Sequence, residues 1–141
     1  MRRYIAPLAA TAIACGLPLA VVGPASAFGA ETLGCYVSAG APLPFTTPDC
    51  SSATPGHNYA VRFALANESG SYTFAWTIPS HIRGLTGQSG CTSTSDTCSF
   101  AVTPGGGDID IPVSVVVTQA GQSETLYADA TVLAVCGNEF C

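Results

Sequence analysis

Three closely spaced pairs of cysteines constrain this chain more than any other feature of its sequence. After residue 27 there are six cysteines, in three clusters: Cys35 and Cys50, Cys91 and Cys98, Cys136 and Cys141. An even number of cysteines in a small exported chain is typical of disulfides. Six cysteines allow fifteen pairings, among which the sequence alone does not choose. The spacing favours three local disulfides, one inside each cluster, each closing a turn-rich segment.

The first 27 residues have the features of a secretory signal peptide. A basic start at residues 1–3 precedes an apolar stretch that reaches Val22, and a Gly-Pro step then leads to small residues ending at Ala27. This order predicts export and cleavage after Ala27. The mature domain is then 28–141, and it is predicted to be extracellular.

Two alternatives to a cleaved signal peptide stay open. The apolar stretch is barely long enough to act as an uncleaved membrane anchor, and Pro7, Gly16 and Pro18 interrupt it. Residues 11–15 loosely fit a bacterial lipobox, in which case Cys15 is lipidated and holds the protein at the cell surface. With the signal peptide removed, we predict no integral membrane segment.

The remaining chain is short and acidic. Residues 28–141 contain no lysine, only Arg62 and Arg83, and all nine carboxylates, which leaves a net charge of −7. Nucleic acid would be repelled, so we expect no nucleic-acid partner. The length fits one domain with a modest core. We divide it into an N-terminal strand and disulfide-closed loop over 28–57 and the remainder over 58–141.

Alternating apolar and polar residues predict strands along this domain. A period of two residues is that of a half-buried strand, and no segment after residue 27 has the helical period. We predict an irregular loop over 40–56, and a hairpin of the strands 58–66 and 72–78, which lie five residues apart. Pro112 predicts an edge or a bulge in the strand 108–119. The other predicted strands are 33–38, 99–103 and 125–135, with a loop or short edge element within 80–90.

The strand pattern predicts an all-β fold. About seven short strands with turn signals between them are typical of a Greek-key β-sandwich. Strand 72–76, which ends in the only tryptophan, and the closing strands 111–118 and 126–135 resemble bacterial immunoglobulin-like modules, a broad group that includes PKD-type domains. The resemblance covers 58–135 and implies an immunoglobulin-like fold. The antibody-type cysteines and the PKD-type acidic-glycine motif after Trp76 are missing, so the resemblance implies no function.

The sequence offers little for nucleophilic or zinc chemistry. Ser80 and His81 are adjacent, but the G-x-S-x-G elbow of serine hydrolases is missing, and so is any predicted helix to support it. His57 and His81 are better explained as surface loop residues. Neither histidine lies at zinc-finger spacing from the cysteines, and no C-x-x-C occurs.

Carboxylates are the other catalytic candidates. Asp108, Asp110 and Asp129 contain a pair that would suit glycoside hydrolysis. Asp108 and Asp110, with carbonyls of 105–107, would suit calcium. A solvated strand end after a glycine turn explains them more simply. We therefore predict a non-enzymatic protein with no cofactor and no metal.

A binding or structural role remains. Tyr127, Leu133 and Val135 fall on the side of the last strand that is predicted to face solvent, and an exposed apolar strip there would mark an interface. The alternative is that the loop 40–56 covers the strip. Glycan binding usually needs several exposed aromatic rings, and Tyr127 is alone, so we favour an unidentified protein partner at or outside the cell surface.

A second hypothesis is a small secreted inhibitor of an extracellular hydrolase. Such a protein presents a rigid loop, because a preorganised loop loses less conformational entropy on binding. The candidates are the segment between Cys91 and Cys98 and the segment 82–85, which contains Arg83 and Leu85.

Overall fold

The domain is built from β-strands joined by turns. The structure, a computed structural model, describes residues 28–38 and 48–141, and these contain no helix. None of the described segments could cross a membrane as a helix. The predicted signal peptide, Cys15 and residues 40–47 of the predicted loop 40–56 lie outside the described residues. The strands are β1 (Thr32–Ser38), β2 (Asp49–Ser51), β3 (Tyr59–Ala66), β4 (Thr73–Thr77), β5 (Leu85–Gly90), β6 (Thr97–Val102), β7 (Ile109–Gln119), β8 (Gln122–Val132), β9 (Val135–Cys136) and β10 (Glu139–Phe140).

Two four-stranded sheets form a sandwich-like arrangement. Sheet A has the order β1-β3-β6-β5, and sheet B has the order β2-β8-β7-β4, in which only the short β2 runs parallel to its neighbour. β9 and β10 form a small separate ribbon. The all-β prediction is confirmed. The described part has ten strands rather than about seven, because β2, β9 and β10 are too short to show an alternating pattern.

The core lies between the inner faces of the two sheets. The inward positions of β3 and β7 are those that the alternation predicts, and the rings of Phe63 and Phe100 pack with centroids 5.8 Å apart. Each fully buried side chain of this size contributes about 1.5–3 kcal/mol. The largest fully buried side chains are Tyr59, Phe63, Ile111, Val61, Val102, Val115, Val117 and Val132.

β3 and β4 do not form the predicted hairpin. β3 pairs with β1 and β6 in sheet A, whereas β4 pairs with β7 in sheet B. The residues between them therefore cross from one sheet to the other, with positive φ angles of 63° at Asn67 and 106° at Gly70. The apolar sides of both strands do face one core, but from opposite sheets. A short connection can join two strands of one sheet or two strands of opposite sheets. The prediction relied on the length of the connection alone and was therefore wrong.

Pro112 lies in a central strand rather than at a sheet edge. β7 runs between β8 and β4, but β4 ends at Thr77, which pairs with Ser114. Pro112 consequently pairs with Asp129 of β8 and has no β4 residue opposite it. Proline has no N–H to donate, so it is tolerated where the neighbouring strand has already ended.

The three disulfides follow the spacing of the cysteines. Cys35–Cys50 joins β1 of sheet A to β2 of sheet B across 15 residues of sequence. Cys91–Cys98 closes the connection between β5 and β6, and Cys136–Cys141 closes the ribbon of β9 and β10. The first is thus the covalent link between the two sheets.

We predict that replacing both Cys35 and Cys50 by alanine lowers the free energy of unfolding by about 3 kcal/mol from loop entropy. The void left at Cys35, which is fully buried, adds to this loss. The double alanine variant of Cys136 and Cys141 is the control, because that loop spans only 5 residues and both cysteines are exposed. Urea unfolding followed by Trp76 fluorescence measures both, and an equal loss in the two variants would contradict the prediction.

Candidate functional site

The outer face of sheet B carries the best candidate for a binding surface. Register places Thr77 of β4, Ser114 of β7 and Tyr127 of β8 in one row across the sheet, and places Pro112 beside Asp129 in the next row. We call these five residues the Tyr127 face. Tyr127 is 69% exposed and is the one large apolar side chain so exposed among the described residues.

A groove runs beside Tyr127. It has a volume of about 240 Å³, and its lining includes Tyr127 and two prolines, Pro79 and Pro112. Thr77, Ser114 and Asp129 add polar groups to its lining. The groove exists because β4 ends early, which leaves the outer side of β7 open near Pro112. Its walls are therefore assembled from three strands that are distant in sequence.

The Tyr127 face is acidic. Asp129 is exposed, and its carboxylate makes no hydrogen bond or ion pair with any residue of the ranges that the structure describes. The two arginines of those ranges lie elsewhere, since Arg62 points outward from sheet A and Arg83 follows β4 in a loop. No cationic side chain therefore neutralises Asp129 from within the described part of the domain.

The other predicted apolar contact residues are separate from Tyr127. Leu133 and Val135 follow the end of β8, and both are half-buried. The Leu133 N–H donates to Ser52 Oγ at 3.0 Å, and Val135 packs against the core. The predicted apolar strip is thus reduced to one prominent residue, Tyr127, and the groove next to it.

Arg83 and Leu85 lie at one end of the sandwich. Arg83 is exposed in the turn before β5, whereas Leu85 is half-buried and packs against the core. Gly84 has a φ of +73°, and a Cβ there would lie 2.5 Å from the carbonyl oxygen of Thr103. The Thr103 N–H also donates to the Gly84 carbonyl at 3.1 Å, so the turn is held in place directly after Arg83.

The aspartates beside this turn are engaged in structural hydrogen bonds. Asp108 Oδ1 accepts from the Ala134 N–H at 2.7 Å, and Asp110 Oδ1 accepts from the Thr131 hydroxyl at 3.0 Å. They share a cleft of about 210 Å³ with His81 and Arg83. Within the described ranges no group of three or more histidine, cysteine or acidic side chains could hold a metal ion. The two aspartates fasten the end of β8 to the start of β7.

The Cys91–Cys98 segment is attached to the domain rather than free. The backbone N–H of Phe74 donates to the Ser93 carbonyl, and the indole Nε1 of Trp76 donates to the Ser95 carbonyl, both at 3.0 Å. Leu65 N–H donates to the Asp96 carbonyl at the same distance. The segment therefore bridges strands of both sheets, and the first of these bonds satisfies an N–H on the free edge of β4.

The same end of the sandwich holds a buried carboxylate that the alternating pattern did not predict. Glu31 is buried, and it accepts hydrogen bonds from the Tyr72 hydroxyl and from the Gly29 N–H, the latter at 2.6 Å. The bond from Tyr72 is the main reason why the pKa of Glu31 is lowered, against the effect of burial. Partial burial, then the charges of Asp96 and Glu31, raise the pKa of nearby Glu68.

Tyr72→Phe is predicted to destabilise the domain in a pH-dependent way. Because the folded-state pKa of Glu31 is depressed, its stabilising effect is present above the unfolded-state pKa and is lost as pH falls through the folded-state pKa. Removing the Tyr72 hydroxyl should lower the free energy of unfolding by about 1–2 kcal/mol near pH 7. The loss should be smaller at an acid pH below the folded-state pKa of Glu31, where the carboxylate is protonated.

Urea unfolding at the two pH values measures this effect. Tyr127→Phe is the control, because it removes an exposed hydroxyl and should change stability by no more than about 0.5 kcal/mol. If the Tyr72→Phe variant loses the same free energy of unfolding at both pH values, the Glu31 carboxylate is not the group that the hydroxyl stabilises.

Comparisons with known proteins supply no relative. The chain matches no protein-family model, and searches of curated proteins and of solved structures find no match. The function proposed below therefore rests on the residues of this chain alone.

Proposed function

We propose that this chain is a secreted, non-catalytic binding module that contacts a protein partner through the Tyr127 face. The observation that carries the proposal is the exposed Tyr127 beside an open groove. Tyrosine is among the residues that dominate binding energy at protein interfaces, because its ring is large, rigid and amphipathic. Single exposed apolar residues are common on protein surfaces. Tyr127 differs from them because a groove adjoins it.

An immunoglobulin-like Greek-key fold is part of the proposal. The order β1-β3-β6-β5 of sheet A and the order β8-β7-β4 within sheet B correspond to the ABED and GFC strand orders of the constant-type fold. Trp76 lies on β4, the counterpart of the strand that carries the tryptophan of antibody domains. Cys35–Cys50 differs from the antibody disulfide, since it joins the sheets through the edge strands β1 and β2.

Secretion is supported by the disulfides. Three disulfides in one small domain are compatible with an oxidising compartment outside the cytoplasm. Both a free extracellular protein and a form anchored by lipid at Cys15 are consistent with that environment. The non-catalytic part of the proposal is supported by Asp108 and Asp110, whose carboxylates already serve as hydrogen-bond acceptors for β8 and the residues after it.

We predict that Tyr127→Ser strongly weakens partner binding. Wild-type protein and the variant would be immobilised and exposed to the secreted and envelope proteins of the producing cell, and retained proteins would then be purified and measured directly. Ala101→Ser, on the outer side of sheet A, is the control. We expect Tyr127→Ser to weaken binding at least about 30-fold, as for an interface hot spot, and Ala101→Ser to have no effect. A purified partner that binds all three equally would refute the role of this face.

Inhibition of a hydrolase is a second candidate, and the exposed Arg83 is the observation that favours it. Arg83 forms no ion pair with another residue of the described part, and the turn that presents it is anchored through Gly84. The Cys91–Cys98 segment is less suited to this role, because it is bonded to β3 and β4. The candidate enzymes are extracellular proteases that cleave after arginine.

We predict for this candidate that stoichiometric protein inhibits such a protease and that Arg83→Ala removes the inhibition. The control is Arg62→Ala, which removes the arginine on the outer side of sheet A. This variant should inhibit the protease as strongly as the wild-type protein does. Titration of protease activity with each protein measures the effect. Full activity of every protease tested in the presence of excess wild-type protein would eliminate the candidate.

A further inference from the structure

We infer that the groove beside Tyr127 receives a lysine or arginine side chain of the partner. This inference rests on the proposed function and specifies what the Tyr127 face recognises. A basic side chain has two parts, an apolar stem and a cationic head. The groove offers a surface to each part.

The apolar walls of the groove suit the stem. Pro79, Pro112 and Tyr127 all line the groove, so it contains two proline side chains and one aromatic side chain. A volume of about 240 Å³ that is open to the surface admits one extended side chain. An alkyl stem that packs against these side chains would be partly removed from water, which favours binding.

The polar groups of the groove suit the cationic head. Asp129 is two residues after Tyr127 on the same side of β8, so its carboxylate and the tyrosine ring line one groove. A cation held over an aromatic face and bonded to a carboxylate gains from both interactions. The hydroxyls of Thr77 and Ser114 provide further hydrogen-bond acceptors. Because the Asp129 carboxylate makes no hydrogen bond or ion pair with the described residues, binding a cation breaks no bond that the described part of the domain already makes.

The charge distribution excludes the opposite choice of ligand. An acidic side chain in the groove would meet Asp129 without any cation of the described residues to offset it. The whole domain is also acidic, since residues 28–141 have a net charge of −7, and this charge attracts a basic partner over a longer range. A neutral glycan would stack on Tyr127 and donate a hydroxyl to Asp129, but it would gain nothing from the net negative charge of the domain.

The test uses the complete secreted protein labelled with ¹⁵N and four short peptides that differ at one central residue. The probe is an end-blocked Gly-Ser-Lys-Ser-Gly peptide, and the other three carry arginine, norleucine or glutamate in place of lysine. Norleucine keeps the alkyl stem and lacks the charge. NMR titration gives both the affinity and the residues whose signals move.

We expect the lysine and arginine peptides to shift the signals of Thr77, Ser114 and Asp129. The norleucine peptide should bind about tenfold more weakly, as expected for loss of a charged hydrogen bond, and the glutamate peptide should not bind. Asp129→Asn should weaken lysine binding about tenfold, to the level of norleucine. Glu139→Gln removes one charge from the exposed ribbon instead and should change the affinity less than about twofold, because salt screens distant charges.

Equal affinity for lysine and norleucine, or an unchanged affinity in Asp129→Asn, would overturn the inference. Tighter binding of a neutral oligosaccharide at the same residues would overturn it as well. The two proposals fail separately. If a partner's affinity depends on Tyr127 but not on Asp129, the proposed function stands and the inference of a basic side chain fails. If the groove binds lysine but no protein partner binds at the Tyr127 face, the inference stands and the proposed function fails.

Discussion

The pairing of β7 with β8 is the constraint on which the rest of this domain depends. The two strands pair over eleven residues each, and alternate side chains of both point into the core. A shift of β8 by one residue against β7 would turn Tyr127 and Asp129 inward and expose Ala128, Ala130 and Val132. Burial of these three residues therefore sets the position of the binding face on the other side of the same sheet. The apolar inner face thus fixes the register, and the register determines which residues lie on the outer face.

Small residues on β8 explain how the two sheets come together at their linked edge. Ala128 and Ala130 are buried where a larger residue would keep β1 away from β8. Cys35 on β1 can then approach β8 closely, and its Sγ lies 3.2 Å from the Asp129 carbonyl oxygen. The same cysteine bonds to Cys50 on β2. The inter-sheet disulfide, the core and the backbone of the candidate site thus meet at one place.

The ends of the sandwich are secured by polar contacts instead of apolar packing. At one end, Asp108 and Asp110 hold the residues around the end of β8. At the other, Glu31 and Tyr72 tie the segment before β1 to the connection between the sheets. Carboxylates that looked like catalytic candidates therefore have structural roles, and this leaves Asp129 as the one of the three proposed carboxylates without a partner among the described residues.

The sequence by itself determined the local features of this protein. It was sufficient to predict the all-β class and the inward residues of the long strands, because a two-residue period is visible within a single segment. The spacing of the cysteines favoured three local disulfides, and the structure has those pairings. Tyr127 was also predictable as an exposed aromatic residue, since Asp129, two residues later in the alternation, indicates which side of β8 faces water.

Only the tertiary structure decided which strands are neighbours. The connection between β3 and β4 looked like a hairpin and is a crossover, because the choice depends on the longer pairings that β3 makes with β6 and β4 makes with β7. The groove has the same origin. Pro79 follows β4, whereas Pro112 and Tyr127 belong to β7 and β8. The register of these strands brings the three residues together, and the free energy that sets this register comes from core contacts between residues distant in the sequence.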